Sequence, residues 1–405
     1  MSYIKQGTKT FRKTSFAFFA AGFNTFAILY CAQPLMVTFT NEFDISPTIA
    51  SLSLSITTIT LAISMLVFGS LSEVWGRKPV MVYSMFAASA LCILTAFSPN
   101  FYVLLVFRAL VGIALAGLPA VAMAYLGEEI ERKSLGAAMG LYISGNAIGA
   151  VAGRVISGVV NDAAGWHFSI GLIGIISLIA TVLFWRSLPH STHFTPRSLN
   201  VVSLGKSLID HLKDPGLLFL FCIGFLLLGS NVALFNYIGY VLTAKPYGLS
   251  ESVISWIFII MMIGTFSSIW NGKLIDHHGK QPILLINLLV AFAGVCLTLE
   301  SHLLLKIIGI GLFTFGFFGA HSIASSWVGQ RALRNKAQAS SLYLFLYYTG
   351  SSVGGTLGGI FWSHYGWHGV IGMIGGFILT AGLLTACLSK VNVKSAVLVK
   401  ANESY

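Results

Sequence analysis

The chain alternates between long apolar stretches and short polar ones. Largely uncharged runs recur at 14–37, 47–70, 79–98, 101–125, 134–160, 167–187, 215–243, 251–275, 282–299, 303–327, 338–361 and 368–389. Each is near the roughly 20 residues an α-helix needs to cross the hydrocarbon core of a bilayer. Alternating runs of about ten residues, the mark of a membrane barrel, do not occur. Lipid offers no partner to unpaired backbone groups, so each run is expected to be a helix. The pattern therefore predicts an all-α membrane protein with twelve transmembrane helices. Two joins are very short, Ser98-Pro99-Asn100 and Glu300-Ser301-His302. The first run is too long for a signal-peptide core and lacks a small-residue cleavage site, so it is expected to stay in the mature protein.

Composition narrows the function classes. Of 405 residues, 56% are hydrophobic and 9% charged, against about 25% charged in soluble domains. A soluble enzyme, a disordered chain and a secreted disulfide scaffold are excluded. Lys and Arg number 24 against 13 Asp and Glu, a net charge of +11. With both termini taken as cytoplasmic, 20 of the 24 basic residues fall in the tails and cytoplasmic loops. That is the positive-inside rule, so the charge reports topology and needs no nucleic-acid partner. Lys245 and Lys306 fall outside this set, and Arg108 and Arg154 lie within spans. The five cysteines sit in apolar runs with no paired spacing, which reads as small buried hydrophobes. No metal or other cofactor is expected. No loop carries a nucleotide-binding loop, a His-Glu metalloprotease pair or a nucleophile elbow, so neither an enzyme nor a self-contained ATP-driven pump is expected.

The chain repeats itself. The stretch from Gly69 through Glu73, Gly76, Arg77 and Lys78 to Pro79 recurs 203 residues later as Gly272, Asp276, Gly279, Lys280 and Pro282. The fifth and eleventh runs align at an offset of 201, pairing Tyr142 with Tyr343, Gly149 with Gly350, Gly153 with Gly354 and Gly165-Trp166 with Gly366-Trp367. The first and seventh runs match more faintly, Asn24 with Asn231 and Tyr30 with Tyr237. Repeats of this kind build many transporters. Two pseudo-symmetric six-helix bundles are expected, 1–188 and 215–405, joined by a polar cytoplasmic linker at 189–214.

The Gly69–Pro79 loop resembles the signature of the major facilitator superfamily at every defined position, and the resemblance extends over the whole chain. Within that family the chain looks most like bacterial inner-membrane drug and metabolite exporters of the proton-antiporter type. The resemblance implies a gating role for Gly69, Glu73, Gly76, Arg77 and Lys78 and for Asp276, Gly279 and Lys280, beside plain topological anchoring by the bases. Arg108, followed by Gly112 and Gly117, resembles the family's second signature; Val111 stands where a glutamine is usual. The fifth run resembles the antiporter signature through Gly136, Gly145, Gly149 and Gly153. It departs from that signature at Ala150, where a proline is usual, and at Arg154, where a glycine is.

Coupled exporters of the family commonly place a carboxylate at membrane depth, where a proton can load and leave. None of the 13 acids falls at the centre of a span. The proton-coupling candidates are Arg108, Arg154, Asp162 and His321. Arg154 and Asp162 lie two turns apart on one helix face, so they either pair or both reach the interface. His321, with an ordinary pKa near 6.5, is either a proton carrier or a structural hydrogen-bonding group. The resemblance places a substrate site between the halves. Asn24, Tyr30, Gln33 and Asn146 are candidates in the first half, and Asn231, Asn236, Tyr237, Tyr240 and Tyr347 in the second. Asparagine at this depth either lines the pocket or clamps helices together.

These features point to a secondary active transporter, a proton-coupled exporter of a small amphipathic or anionic solute across the bacterial inner membrane, acting as a monomer by alternating access. An importer or uncoupled facilitator on the same fold is the alternative. A membrane sensor or lipid-handling protein is a further one, disfavoured because no loop is long enough to form a soluble domain.

Overall fold

A computed structural model describes residues 3–194, 209–332 and 334–402. Arg197, Lys206 and most of the expected linker, and Glu403 of the C-terminal tail, lie outside the described residues. Apart from one isolated β-bridge between Ile4 and Ile130, the regular structure described is helical. The helices are α1 (Lys9–Tyr30), α2 (Met36–Glu42), α3 (Pro47–Trp75), α4 (Arg77–Thr95), α5 (Phe101–Leu115), α6 (Gly117–Glu129) and α7 (Leu135–Ser187). They continue as α8 (Pro215–Thr243), α9 (Glu251–Ile257), α10 (Ile263–His278), α11 (Lys280–Leu297), α12 (Leu303–Arg331) and α13 (Lys336–Asn402). Among the described residues, nine helical stretches are long and apolar enough to cross a membrane. Two of them, Leu135–Ser187 and Gln338–Leu388, each contain one non-helical residue, Gly165 at φ 82° and Gly366 at φ 59°. Only glycine adopts such backbone freely, so the repeated Gly-Trp pairs mark breaks inside these long helices.

Local chemistry sets several boundaries. The side chains of Thr8, Ser46, Asn100 and Ser250 cap α1, α3, α5 and α9 by accepting from the backbone three residues on. The first apolar run differs from expectation: its helix stops at Tyr30, and a turn at Cys31–Leu35 leads into α2. Pro34 lies in that turn, and proline cannot continue a helical hydrogen-bond ladder. The eighth run is likewise divided, by a tight 3-10 segment at Phe258–Met262 between α9 and α10.

The chain forms two compact units, Met1–Leu199 with Ile238–Ile259, and Asn200–Tyr237 with Ile260–Tyr405. In the first, α1 packs along α7 through a glycine stripe. Added Cβ atoms at Gly145, Gly149 and Gly153 would lie 2.9 Å from Phe19 Cα, 2.5 Å from Phe23 Cα and 2.6 Å from Ala27 Cα. The second unit repeats the device: Cβ atoms at Gly350 and Gly354 would lie 2.7 Å from Phe225 Cα and 2.6 Å from the Gly229 carbonyl carbon. Small residues let backbones meet where lipid supplies no hydrophobic drive.

Candidate functional site

The turn after α1 brings together three of the expected residues. Arg154 of α7 is 1% exposed. Its Nε donates to Gln33 Oε1 at 2.6 Å and its Nη1 to the Ala150 carbonyl at 2.6 Å. The guanidinium lies 3.8 Å from the centroid of the Tyr30 ring and 5.2 Å from that of Phe258, a cation–π arrangement. Among the described residues it has no carboxylate partner. Asp162 is exposed and does not pair with it. A buried cation without a counter-charge is expensive, and rings and amides offset only part of that cost.

Arg108 of α5 is equally buried but differently held. Its Nε donates to Ser53 O at 2.9 Å, Nη1 to Ile28 O at 3.0 Å and Nη2 to Leu29 O at 2.8 Å. The last two carbonyls belong to the final turn of α1, left open where the helix stops. Arg108 thus splints the broken first span, and every guanidinium nitrogen donates to backbone.

The other first-unit candidates divide. Asn24 Nδ2 donates to Thr181 Oγ1 at 2.9 Å, and Thr181 lies 3.2 Å from Ser89 Oγ, so this asparagine clamps α1, α4 and α7. Asn24 Oδ1 and Asn146 Oδ1 are buried without a hydrogen-bond partner among the described residues. Tyr240, at the end of α8, donates to Met36 O at 2.9 Å and lies 2.8 Å from Thr40 Oγ1. A cavity of about 660 Å³ opens between the end of α4 and the part of α7 beyond Gly165. Its wall, including Phe97, Phe168 and Ile175, is mostly apolar, with Ser98 and His167, and holds none of the expected residues.

In the second unit, Tyr237 donates to Gly355 O at 2.7 Å and stacks on Trp362 at 6.1 Å, joining α8 to α13. Asn231 Nδ2 is buried with no hydrogen-bond partner among the described residues, and Asn236 is 2% exposed. His321 Nδ1 is 2.9 Å from Tyr343 Oη, and its ring stacks on Tyr347 at 4.3 Å and on Phe317 at 6.2 Å.

The gating loop is organised around Arg77. Gly76, at φ 92°, turns α3 into α4, as Gly279, at φ 80°, turns α10 into α11. Arg77 pairs with Glu128 at 2.7 Å and donates to Ser72 Oγ at 2.7 Å. Lys78 donates to Leu188 O, and Lys280 to Gln330 Oε1. Glu73 and Asp276 form no ion pair among the described residues. A Cβ at Gly69 would meet nothing within 4 Å, so that glycine serves no close approach.

Several acids outside the candidate set have partners. Glu128 holds Arg77. The Glu129 carboxylate accepts from Thr192 N at 2.6 Å, Thr192 Oγ1 at 2.7 Å and His193 N at 2.8 Å, which fastens the start of the linker to α6. Glu251 accepts from Thr38 at 2.7 Å and from Asn161. The paired acids at the end of the fourth run were the one visible signal.

The model of the family described as Major Facilitator Superfamily matches residues 14–354 and 220–404. The chain belongs to the Major Facilitator Superfamily. It is 63% identical over 390 residues to the uncharacterized MFS-type transporter YybF of Bacillus subtilis (strain 168), covering 96% of each chain. It is 46% identical over 368 residues to the inner membrane transport protein YnfM of Escherichia coli (strain K12), covering 91% of this chain and 88% of that one. Among solved structures, a bacterial homolog of the human lysosomal transporter Spinster superposes with a TM-score of 0.79 at 14% identity, covering 96% of this chain and 99% of that one. That likeness is one of fold. The chain is therefore a multi-pass membrane transporter of this superfamily.

Proposed function

We propose that this transporter is a proton-coupled exporter of small anionic or amphipathic solutes in the bacterial inner membrane. It has twelve spans, both termini in the cytoplasm, and halves 1–188 and 215–405 that alternate access by rocking. The observation that carries the solute class is Arg154: a buried guanidinium with no carboxylate partner among the described residues. An anionic substrate would supply the missing charge, and Tyr30 and Gln33 would hold the guanidinium in a fixed plane for bidentate recognition. Arg154 also stands where the repeat has Gly355 in the second half. The bundle packs without an arginine at that position, so its presence in one half only suits a ligand rather than the scaffold.

Thermal stability of the purified protein against a panel of small carboxylates, neutral isosteres and amines tests this reading. Carboxylates should raise the melting temperature of the wild-type chain and leave Arg154→Gln unmoved. Stabilisation by amines alone, or equal stabilisation of both proteins by carboxylates, would overturn it. Efflux of the best carboxylate from proteoliposomes, with and without a pH gradient, then separates coupled export from uncoupled facilitation.

A further inference from the structure

The sequence offers no carboxylate at the centre of any span, yet the structure ties one half-buried carboxylate across three helices. Glu251 begins α9. One carboxylate oxygen accepts from Thr38 Oγ1 of α2 at 2.7 Å, and the other accepts from Asn161 Nδ2 of α7. Asn161 Nδ2 also donates to Thr38 Oγ1 at 2.8 Å, closing a three-residue ring of hydrogen bonds. All three residues lie in the first compact unit. Beneath the ring, Ser255 of α9 faces Gly158 of α7 so closely that any side chain at Gly158 would collide with its hydroxyl.

The charges around Glu251 are of one kind. From α7 comes Asp162, a like charge acting on the carboxylate; Arg154, two turns back on α7, is committed to Gln33, Ala150 and Tyr30. The charged residue on α2 is Glu42, and α9 carries no second one. From the end of α8, Tyr240 bonds to Met36 O and Thr40 rather than to Glu251. Glu251 forms no ion pair among the described residues. Meanwhile Asn161 Oδ1 is buried with no hydrogen-bond partner among them.

We propose that Glu251 is the proton-binding carboxylate of a latch: ionised, it ties α9 to α2 and α7; protonated from the adjoining aqueous phase, it lets α9 go. The ionised form accepts two charge-assisted hydrogen bonds, the stronger kind. Protonation turns these into neutral bonds and removes the repulsion from Asp162. No bond other than the O–H forms or breaks. This deepens the coupled-export reading and rests on it for its purpose, but the latch itself is testable without any substrate.

The test is hydrogen–deuterium exchange on the full chain in lipid nanodiscs, corrected for intrinsic pH dependence. In the wild-type protein, protection of residues 36–42 and 251–257 should fall about tenfold between pH 8 and pH 5.5 as the charge-assisted bonds weaken, with 77–95 unchanged. Glu251→Gln, a permanent mimic of the neutral acid, should show the low protection at both pH values. Thr38→Val, which removes one donor and no charge, should lower protection at pH 8 and shrink the pH response. Protection in the wild type that ignores pH, or a Glu251→Gln protein with the wild-type pH response, would overturn the latch. A latch that titrates as expected in a protein whose flux ignores a pH gradient would sink coupled export and leave the latch standing.

Discussion

Replacing Gly149 by alanine is expected to destabilise the first unit, whereas the same change at Gly140, nine residues earlier on the same helix, is expected to stabilise it. An alanine Cβ at Gly149 would lie 2.5 Å from Phe23 Cα, where ordinary contact begins at 3.4 Å. The obstacle is backbone, which cannot swing aside as a side chain can, so α1 and α7 must part by about 1 Å. A gap of that size forfeits roughly a quarter to a half of each dispersion contact it opens. Overpacking costs about 1–3 kcal/mol, and the backbone clash puts Gly149 near the upper end. Against this stands about 1 kcal/mol of helix propensity gained by removing a mid-helix glycine. The net effect is a loss of about 2 kcal/mol. At Gly140 a Cβ meets nothing within 4 Å, so only the gain remains. The two variants should therefore differ by about 3 kcal/mol, more than a hundredfold in the unfolding equilibrium. Tryptophan fluorescence during unfolding in mixed detergent micelles reads the order directly. Equal stability of the two variants would refute the claim that the glycine stripe sets the α1–α7 distance.

Arg108→Ala should cost about 3 kcal/mol, since it removes three buried charge-assisted hydrogen bonds to the carbonyls of Ser53, Ile28 and Leu29. Arg108→Lys should fall between, because an ammonium cannot reach all three; melting temperature with a carboxylate-binding check separates this from a loss of function. Arg154→Gln should do the opposite, sparing most of the stability while abolishing carboxylate-dependent stabilisation. A double-mutant cycle on Arg77 and Glu128 should return a coupling of about 1 kcal/mol, given the partial exposure of Glu128. His321→Phe keeps the ring stack on Tyr347 but drops the bond to Tyr343, so unfolding should show a loss of about 1 kcal/mol.

Much of this architecture was legible because the membrane enforces simple rules. Apolar length located the spans, and the repeat at an offset of 201 pairs Gly149 with Gly350, which both meet a neighbouring backbone. The site was less legible, for physical reasons. The end of α1 at Tyr30 depends on a guanidinium from a helix almost 80 residues away, a contact no local pattern encodes. The sequence left Asn24 between lining a pocket and clamping helices, because the acceptor of its amide, Thr181, lies 157 residues away in α7. The resemblance implied gating roles for Glu73 and Arg77 without naming the arginine's partner, which is Glu128 on α6. Spacing along one helix suggested an Arg154–Asp162 pair; Gln33, delivered by the turn at Pro34, took Arg154 instead.

The two intramembrane arginines then take opposite roles for one reason, the shape of the broken first span. Where α1 stops, its last carbonyls are left open, and they take both terminal nitrogens of Arg108, while its Nε donates to Ser53 O. That arginine needs nothing else. The turn that follows carries Gln33 to Arg154, whose guanidinium also lies over the Tyr30 ring, and these two give Arg154 an orientation without neutralising it. A continuous first helix would have satisfied its own carbonyls and carried neither group to that place. Straightening the break with Pro34→Ala should therefore disturb both arginines together. It should lower the thermal stability that Arg108 provides, and it should weaken the carboxylate response that depends on Arg154. If the carboxylate response survives while stability falls, the break serves Arg108 alone, and the link between fold and solute recognition drawn through Tyr30 and Gln33 is wrong.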